Sequence, residues 1–115
     1  MFKITVFLIM EILEIFVTQI SVFGQLEDQA YLIQYKKAVQ LFADGQYDVA
    51  SQKLVPLCSK NYHNPMVPYA YFYNALCAKN RGNKYQSRVI FRQIFENFYD
   101  WDKINDARLI YAELN

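Results

Sequence analysis

The chain has 115 residues, 54% of them hydrophobic and 17% aromatic, with 12 basic against 11 acidic side chains. That length sets one domain as the expectation; charge is nearly balanced, and no acidic or basic tail points to a nucleic-acid or membrane partner. Ten tyrosines and nine phenylalanines exclude a disordered polar segment.

Residues 1–24 differ from the rest. Lys3 gives a positive start, Ile4 to Met10 is an unbroken apolar run, and Val22-Phe23-Gly24 ends the stretch with a small residue before Gln25. That is the layout of a secretory signal peptide, and it implies a periplasmic or secreted mature chain. Glu11 and Glu14 do not fit a signal core. With Thr18, Ser21 and Gln25 they make a polar stripe at helical spacing. The alternative is an amphipathic helix that packs on the remainder or lies on a membrane surface, leaving the protein membrane-associated or cytoplasmic. A spanning anchor is the costliest reading, at about 2.5–3.5 kcal/mol per acidic group near mid-bilayer. Membrane contact is expected only through residues 1–24, and only if they are not cleaved.

Residues 25–115 read as helices separated by short turns, an all-α pattern. Periodic apolar positions predict helices over 27–43, 47–59, 67–80, 84–98 and 103–114. Gly45 and Gly82 stop the first and third, because a residue without Cβ takes the left-handed C-terminal conformation cheaply. Pro65 and Pro68 favour a helix start just beyond the 60–64 linker. Asp100 or Asp102 is positioned to cap the last helix.

The helices repeat. Tyr35, Ala38, Gly45, Ala50, Leu54 and Leu57 recur 37 residues later as Phe72, Ala75, Gly82, Ser87, Phe91 and Ile94, and Leu109 and Ala112 continue the series. A fixed period of this size marks stacked helical hairpins, an α-solenoid of about two and a half units. The small residues belong where helices approach most closely, and the large ones fill the gaps between hairpins. The last helix lacks the second helix of its own hairpin, so its stripe of Ile104, Ala107, Leu109, Ile110, Tyr111 and Leu114 is expected to lie partly exposed.

Ala38, Gly45, Tyr47 and Ala50 in the first unit, with Ala75 and Gly82 in the second, resemble the tetratricopeptide repeat (TPR). Lys84 departs from its turn tyrosine and Ser87 from its second alanine, and the period exceeds the usual value of about 34. Tyr69, Phe72, Tyr73, Ala75 and Leu76, with the Trp101-Asp102-Lys103 linker, are similar to the N-terminal repeat region of Bacteroidetes cell-envelope proteins. There the repeats precede a domain of the periplasmic-binding or penicillin-binding-protein-activator kind, which this sequence does not contain. The resemblance implies a non-catalytic protein–protein interaction scaffold of the cell envelope. Its alternative is the leading segment of a larger periplasmic protein, whose repeats only position another domain. It also implies a concave groove lined or bordered by Tyr35, Val39, Phe42, Tyr69, Phe72, Leu76 and Lys79, for a protein or peptide partner.

No catalytic constellation is legible, so no cofactor, metal or nucleic acid is expected. His63 is a single turn histidine, and Ser21, Ser51, Ser59 and Ser87 lack a nucleophile-elbow context. Cys58 and Cys77 have no metal-ligand spacing, and the hairpin geometry offsets them axially by roughly 10 Å, too far for a disulfide. Both read as buried thiols. Arg81, Lys84, Arg88 and Arg92 form a basic stripe, read as a solvated outer face with phosphate or acidic-peptide binding as the alternative.

Overall fold

In the computed structural model of the chain, residues 24–59 and 62–114 are described, and no strand occurs among them. The signal-peptide, amphipathic-helix and anchor readings fall on residues 1–24, of which only Gly24, the first described residue of the first helix, lies inside the described part. The chain divides into two compact units, Met1–Tyr31 and Leu32–Asn115. The second carries nearly all that follows.

Five helices make up the described chain: α1 over residues 24–43, α2 Tyr47–Leu54, α3 Val67–Asn80, α4 Lys84–Asn97 and α5 Ile104–Glu113. Among the described residues, no helix is long and apolar enough to cross a membrane. The expectation of an all-helical chain holds, with α3 running over the predicted residues. The second helix is shorter than expected. It gives way at Val55 to a 3-10 turn, Val55–Leu57. Pro56 has no N–H to donate one turn back, and its ring would clash with the carbonyl there.

Two turns explain why the chain doubles back where it does. After α1, the Gln46 N–H donates to the Leu41 carbonyl at 2.9 Å and the Gly45 N–H to Phe42 at 3.0 Å. After α3, the Asn83 N–H donates to Ala78 at 2.9 Å and the Gly82 N–H to Lys79 at 3.0 Å. This is the Schellman arrangement, twice, at the 37-residue offset. It requires a positive φ, which Gly45 and Gly82 supply at 80° and 83°. The entries into α3 and α5 also correspond at that offset. Val67 donates to Asn64 and Ile104 to Trp101, both at 3.1 Å, while Ala70 donates to Met66 at 3.0 Å and Ala107 to Lys103 at 3.1 Å.

Contacts fix the helix directions. Ala75 with Ser87, Phe72 with Phe91 and Tyr71 with Phe98 move away from the α3–α4 turn in opposite senses along the two helices, so these run antiparallel. Ser51 with Asn74 and Asp48 with Arg81 make α2 and α3 antiparallel in the same way. Arg88 with Leu114 and Arg92 with Tyr111 do so for α4 and α5.

The core follows the repeat. Ala38, Ala50, Ala75 and Ser87 are fully buried, as are Leu54, Phe91 and Ile94. Small residues let the helix axes approach, and the larger ones fill the layers between them. At α4 the Asn83 side chain caps the helix, accepting from the Gln86 N–H at 3.1 Å. Neither Asp100 nor Asp102 caps α5: its N-cap is Lys103, with no side-chain hydrogen bond. The 101–104 turn is closed instead by the Ile104 main-chain bond to Trp101.

Candidate functional site

α3 is the central element, packed on α2 at one side and α4 at the other. Its sequence, VPYAYFYNALCAKN, is apolar nearly all round, which is the pattern of a helix covered on more than one side. One face buries Val67, Ala70, Tyr71, Asn74, Ala75, Cys77 and Ala78. The opposite face carries Tyr69, Phe72, Tyr73 and Leu76, all half-buried. Helical spacing puts these four within one arc of the helix.

Rings join this face to its neighbours. Tyr73 meets Tyr35 of α1 at 6.1 Å and Phe42 of α1 at 5.3 Å, both edge-on, and Phe42 meets Tyr47 of α2 at 5.4 Å. Phe72 lies 5.9 Å from Tyr73, 5.7 Å from Trp101 and 6.1 Å from Phe91. Tyr69 stands perpendicular to Trp101 at 5.0 Å. The chain of rings continues from Phe91 and Phe95 to Tyr111 of α5. Edge-to-face pairs of this kind contribute about 0.5–1.5 kcal/mol each beyond area burial, and they fix ring orientation.

Of the residues expected to line or border a groove, Phe42, Tyr69 and Phe72 sit within this ring system, together with Tyr35. Val39, Phe42, Tyr69, Phe72, Leu76 and Lys79 are half-buried. Tyr35 is only 9% exposed, so it supports the surface from beneath. Burial raises its phenol pKa, with Tyr73 and Tyr69 adding to the rise. Tyr73 and Trp101 were not among the expected lining residues. Tyr73 corresponds to Lys36 in the first unit and Trp101 to Asn64, so the repeat pattern gave neither an aromatic counterpart.

The Trp101 indole Nε1 is buried and has no hydrogen-bond partner among the described residues. The ring lies against Tyr69 and Phe72, and the Tyr69 hydroxyl points to Asp102 Oδ1 at a long 3.5 Å.

The reactive side chains are occupied elsewhere. Ser51 Oγ donates to Asn74 Oδ1 at 2.8 Å between α2 and α3, and Ser87 Oγ donates to the Ala75 carbonyl at 2.9 Å. His63 is exposed. Cys77 is buried, Cys58 half-buried, and both are free thiols. Burial pushes Cys58 up to about 12. It pushes Cys77 up to about 11, partly offset by Arg81. Neither is a ready nucleophile. Among the described residues no group of three or more His, Cys, Asp or Glu is placed to hold a metal.

The basic stripe lies at the surface, with Arg81, Lys84 and Arg92 exposed and Arg88 half-buried, and most of it also makes contacts between helices. Arg88 Nη1 donates to the Leu114 carbonyl at 3.1 Å, and Arg92 Nε donates to the Tyr111 hydroxyl at 3.1 Å. Arg81 pairs with Asp48 at 3.3 Å. Three of the four cations thus tie helices together, α4 to α5 and the end of α3 to α2.

Compared with known proteins, the chain matches no family model, no curated protein and no solved structure.

Proposed function

We propose that this protein is a non-catalytic interaction scaffold of TPR-like helical hairpins, acting at the cell envelope on a protein or peptide partner. The observation that carries the reading is the half-buried apolar face of α3, continued by Phe42 and Val39 of α1. A helix whose second face is largely aromatic and only half covered leaves contact area for a partner. Tyrosine and phenylalanine give that area at low entropic cost, since each has only two side-chain torsions to fix. Lys79 at the border supplies a charge for register. An extended or amphipathic segment lying along such a surface is a familiar mode of peptide capture. The corresponding turns at the 37-residue offset support the helical-repeat part of the reading.

A photo-crosslinking amino acid at Leu76, introduced into the chain in its native cell, tests it. The expected result is a discrete adduct that is absent when the same group stands at Tyr85, which is 70% exposed on α4. No adduct at Leu76, or the same adducts at both positions, would overturn the reading. The mass and N-terminus of the recovered protein test the envelope part. A start near Gln25 in a periplasmic or secreted fraction supports it, and an intact Met1 in the cytosol removes it.

A further inference from the structure

The sole tryptophan of the chain brings an unpaired polar group to the α3 face. Trp101 is 8% exposed, its indole Nε1 is buried, and no described residue accepts from that N–H. A buried donor left unpaired is costly and uncommon, so its position is informative. The ring packs against Tyr69 at 5.0 Å and Phe72 at 5.7 Å, two half-buried members of the α3 face. Tyr69 is the nearer of the two. Its hydroxyl is held by a long 3.5 Å bond to Asp102, which is itself exposed. Such a bond is weak, and side-chain turns at a surface are common when an interface forms.

We infer, resting on the reading of α3 as the partner-binding face, that Trp101 is the hydrogen-bond donor of that face and that its partner is a proline-rich extended segment. The contact area is aromatic, from Phe42, Tyr69, Phe72 and Tyr73. The polar groups at its edges donate: an indole N–H and the Lys79 ammonium have no lone pair to offer. A polyproline II segment is the complement. It has no internal hydrogen bonds, so its carbonyls are open to accept. Its prolines carry no N–H that would be left unpaired against aromatic rings. Its shape is set before binding, so little order is lost on docking. An amphipathic helix matches less well, because its carbonyls are already bonded within itself. Tyr69 to Leu76 spans roughly 10 Å along α3, about one three-residue turn of polyproline II at ~3.1 Å per residue. Tyr69 turns aside as the segment lies down, and Trp101 then donates to one of its carbonyls.

The test titrates a synthetic oligoproline peptide into the isotope-labelled full chain. With one tryptophan, a single side-chain indole resonance reports on Nε1. The expected result is a saturable downfield move of that proton, with amide shifts in residues 69–76, neither of them produced by a glycine–serine peptide of equal length. Biosynthetic replacement of tryptophan by benzothienylalanine puts sulfur where the N–H was. Followed by the amide shifts, it weakens binding about two- to tenfold, the value of one hydrogen bond. The same replacement leaves the thermal midpoint of the free chain unchanged or higher, because the donor it removes was unpaired. Tyr85→Ala, at an exposed position on α4, leaves binding unchanged. No saturable move, equal binding of the glycine–serine peptide, or undiminished binding by the sulfur analogue would overturn the inference. So would a lower midpoint of the free analogue chain, which would mean that the N–H is already bonded to a buried water or to the Tyr69 ring. If the Leu76 photo-adduct forms while oligoproline fails to bind, the partner class alone is wrong. If that adduct also fails, the reading of the face falls with it.

Discussion

Ser87 donates its hydroxyl to the Ala75 carbonyl at 2.9 Å from a position with no solvent exposure. The bond joins α4 to α3 at two small residues, and the residue 37 positions before Ser87 is Ala50. Serine is therefore a small residue first and a hydrogen-bond donor second. Ser87→Ala should cost about 0.5–1.5 kcal/mol, the net value of one such bond, because it leaves no orphan donor. Ser87→Val should cost more, about 1–3 kcal/mol, because two methyl groups must enter a gap sized for one oxygen. Urea denaturation of both variants checks the order. If Val is tolerated better than Ala, the close-packing account of the repeat fails.

Gly45 and Gly82 make matched predictions. Each has a positive φ, and a Cβ added at either would meet nothing within 4 Å. The cost of Gly→Ala is then conformational alone, about 1–2 kcal/mol at each site. Asn, which tolerates the left-handed region better, should cost less than Ala at both. A thermal midpoint shift on the order of 4 °C per kcal/mol is expected for a chain of this size. If the two sites respond very differently, the equivalence of the two turns is wrong.

These residues also show what the sequence made legible. Glycine at a turn and alanine at a helix crossing have one dominant physical use each, so the 37-residue spacing located both turns and the small-residue positions in the core. Proline has one use as well, and Pro56 ends α2 for a reason its residue type announces, although apolar periodicity alone carries that helix on to Ser59. Side chains with several uses were harder. Arg88 and Arg92 read as a surface stripe, which Arg92 is, but a helix wheel shows which side of α4 they occupy and not the Leu114 carbonyl and Tyr111 hydroxyl that they reach. Tyr73 and Trp101 were missed as members of the ring system, since Lys36 and Asn64 hold the matching positions in the first unit. The extent of a half-buried face depends on how neighbouring helices cross, which no local pattern encodes.

The arginines separate two kinds of surface contact. Arg81 and Asp48 form an ion pair in which the Asp48 side chain is 79% exposed, so Asp48→Asn should change stability by less than about 1 kcal/mol, and less still in high salt. Arg88 holds the Leu114 carbonyl at the end of α5, where a cation also complements the helix dipole. Arg88→Gln should fray that end and speed amide exchange in residues 110–114 before it lowers the global midpoint. Hydrogen exchange read residue by residue distinguishes the two. Equal, diffuse effects from both variants would mean that Arg88 does not pin α5.

Buried thiols and phenols should weaken the fold at alkaline pH. Cys58 is pushed up to about 12 and Cys77 to about 11 from an ordinary 9.0, both chiefly by burial. Tyr71 is raised from 10.0, first by burial and then by Cys58. Between pH 9 and 12 the unfolded chain has released thiol protons that the folded chain still holds. The folded state binds more protons there, so stability is constant below about pH 9 and falls as pH rises through 11 and 12. Cys77→Ala should flatten that fall. The same burial predicts slow reaction at pH 8 with a disulfide reagent, since only the thiolate attacks, and rapid reaction of both cysteines once denaturant is added. Complete labelling of the folded protein within the mixing time would show that the thiols are not held as the packing of α2 and α3 requires.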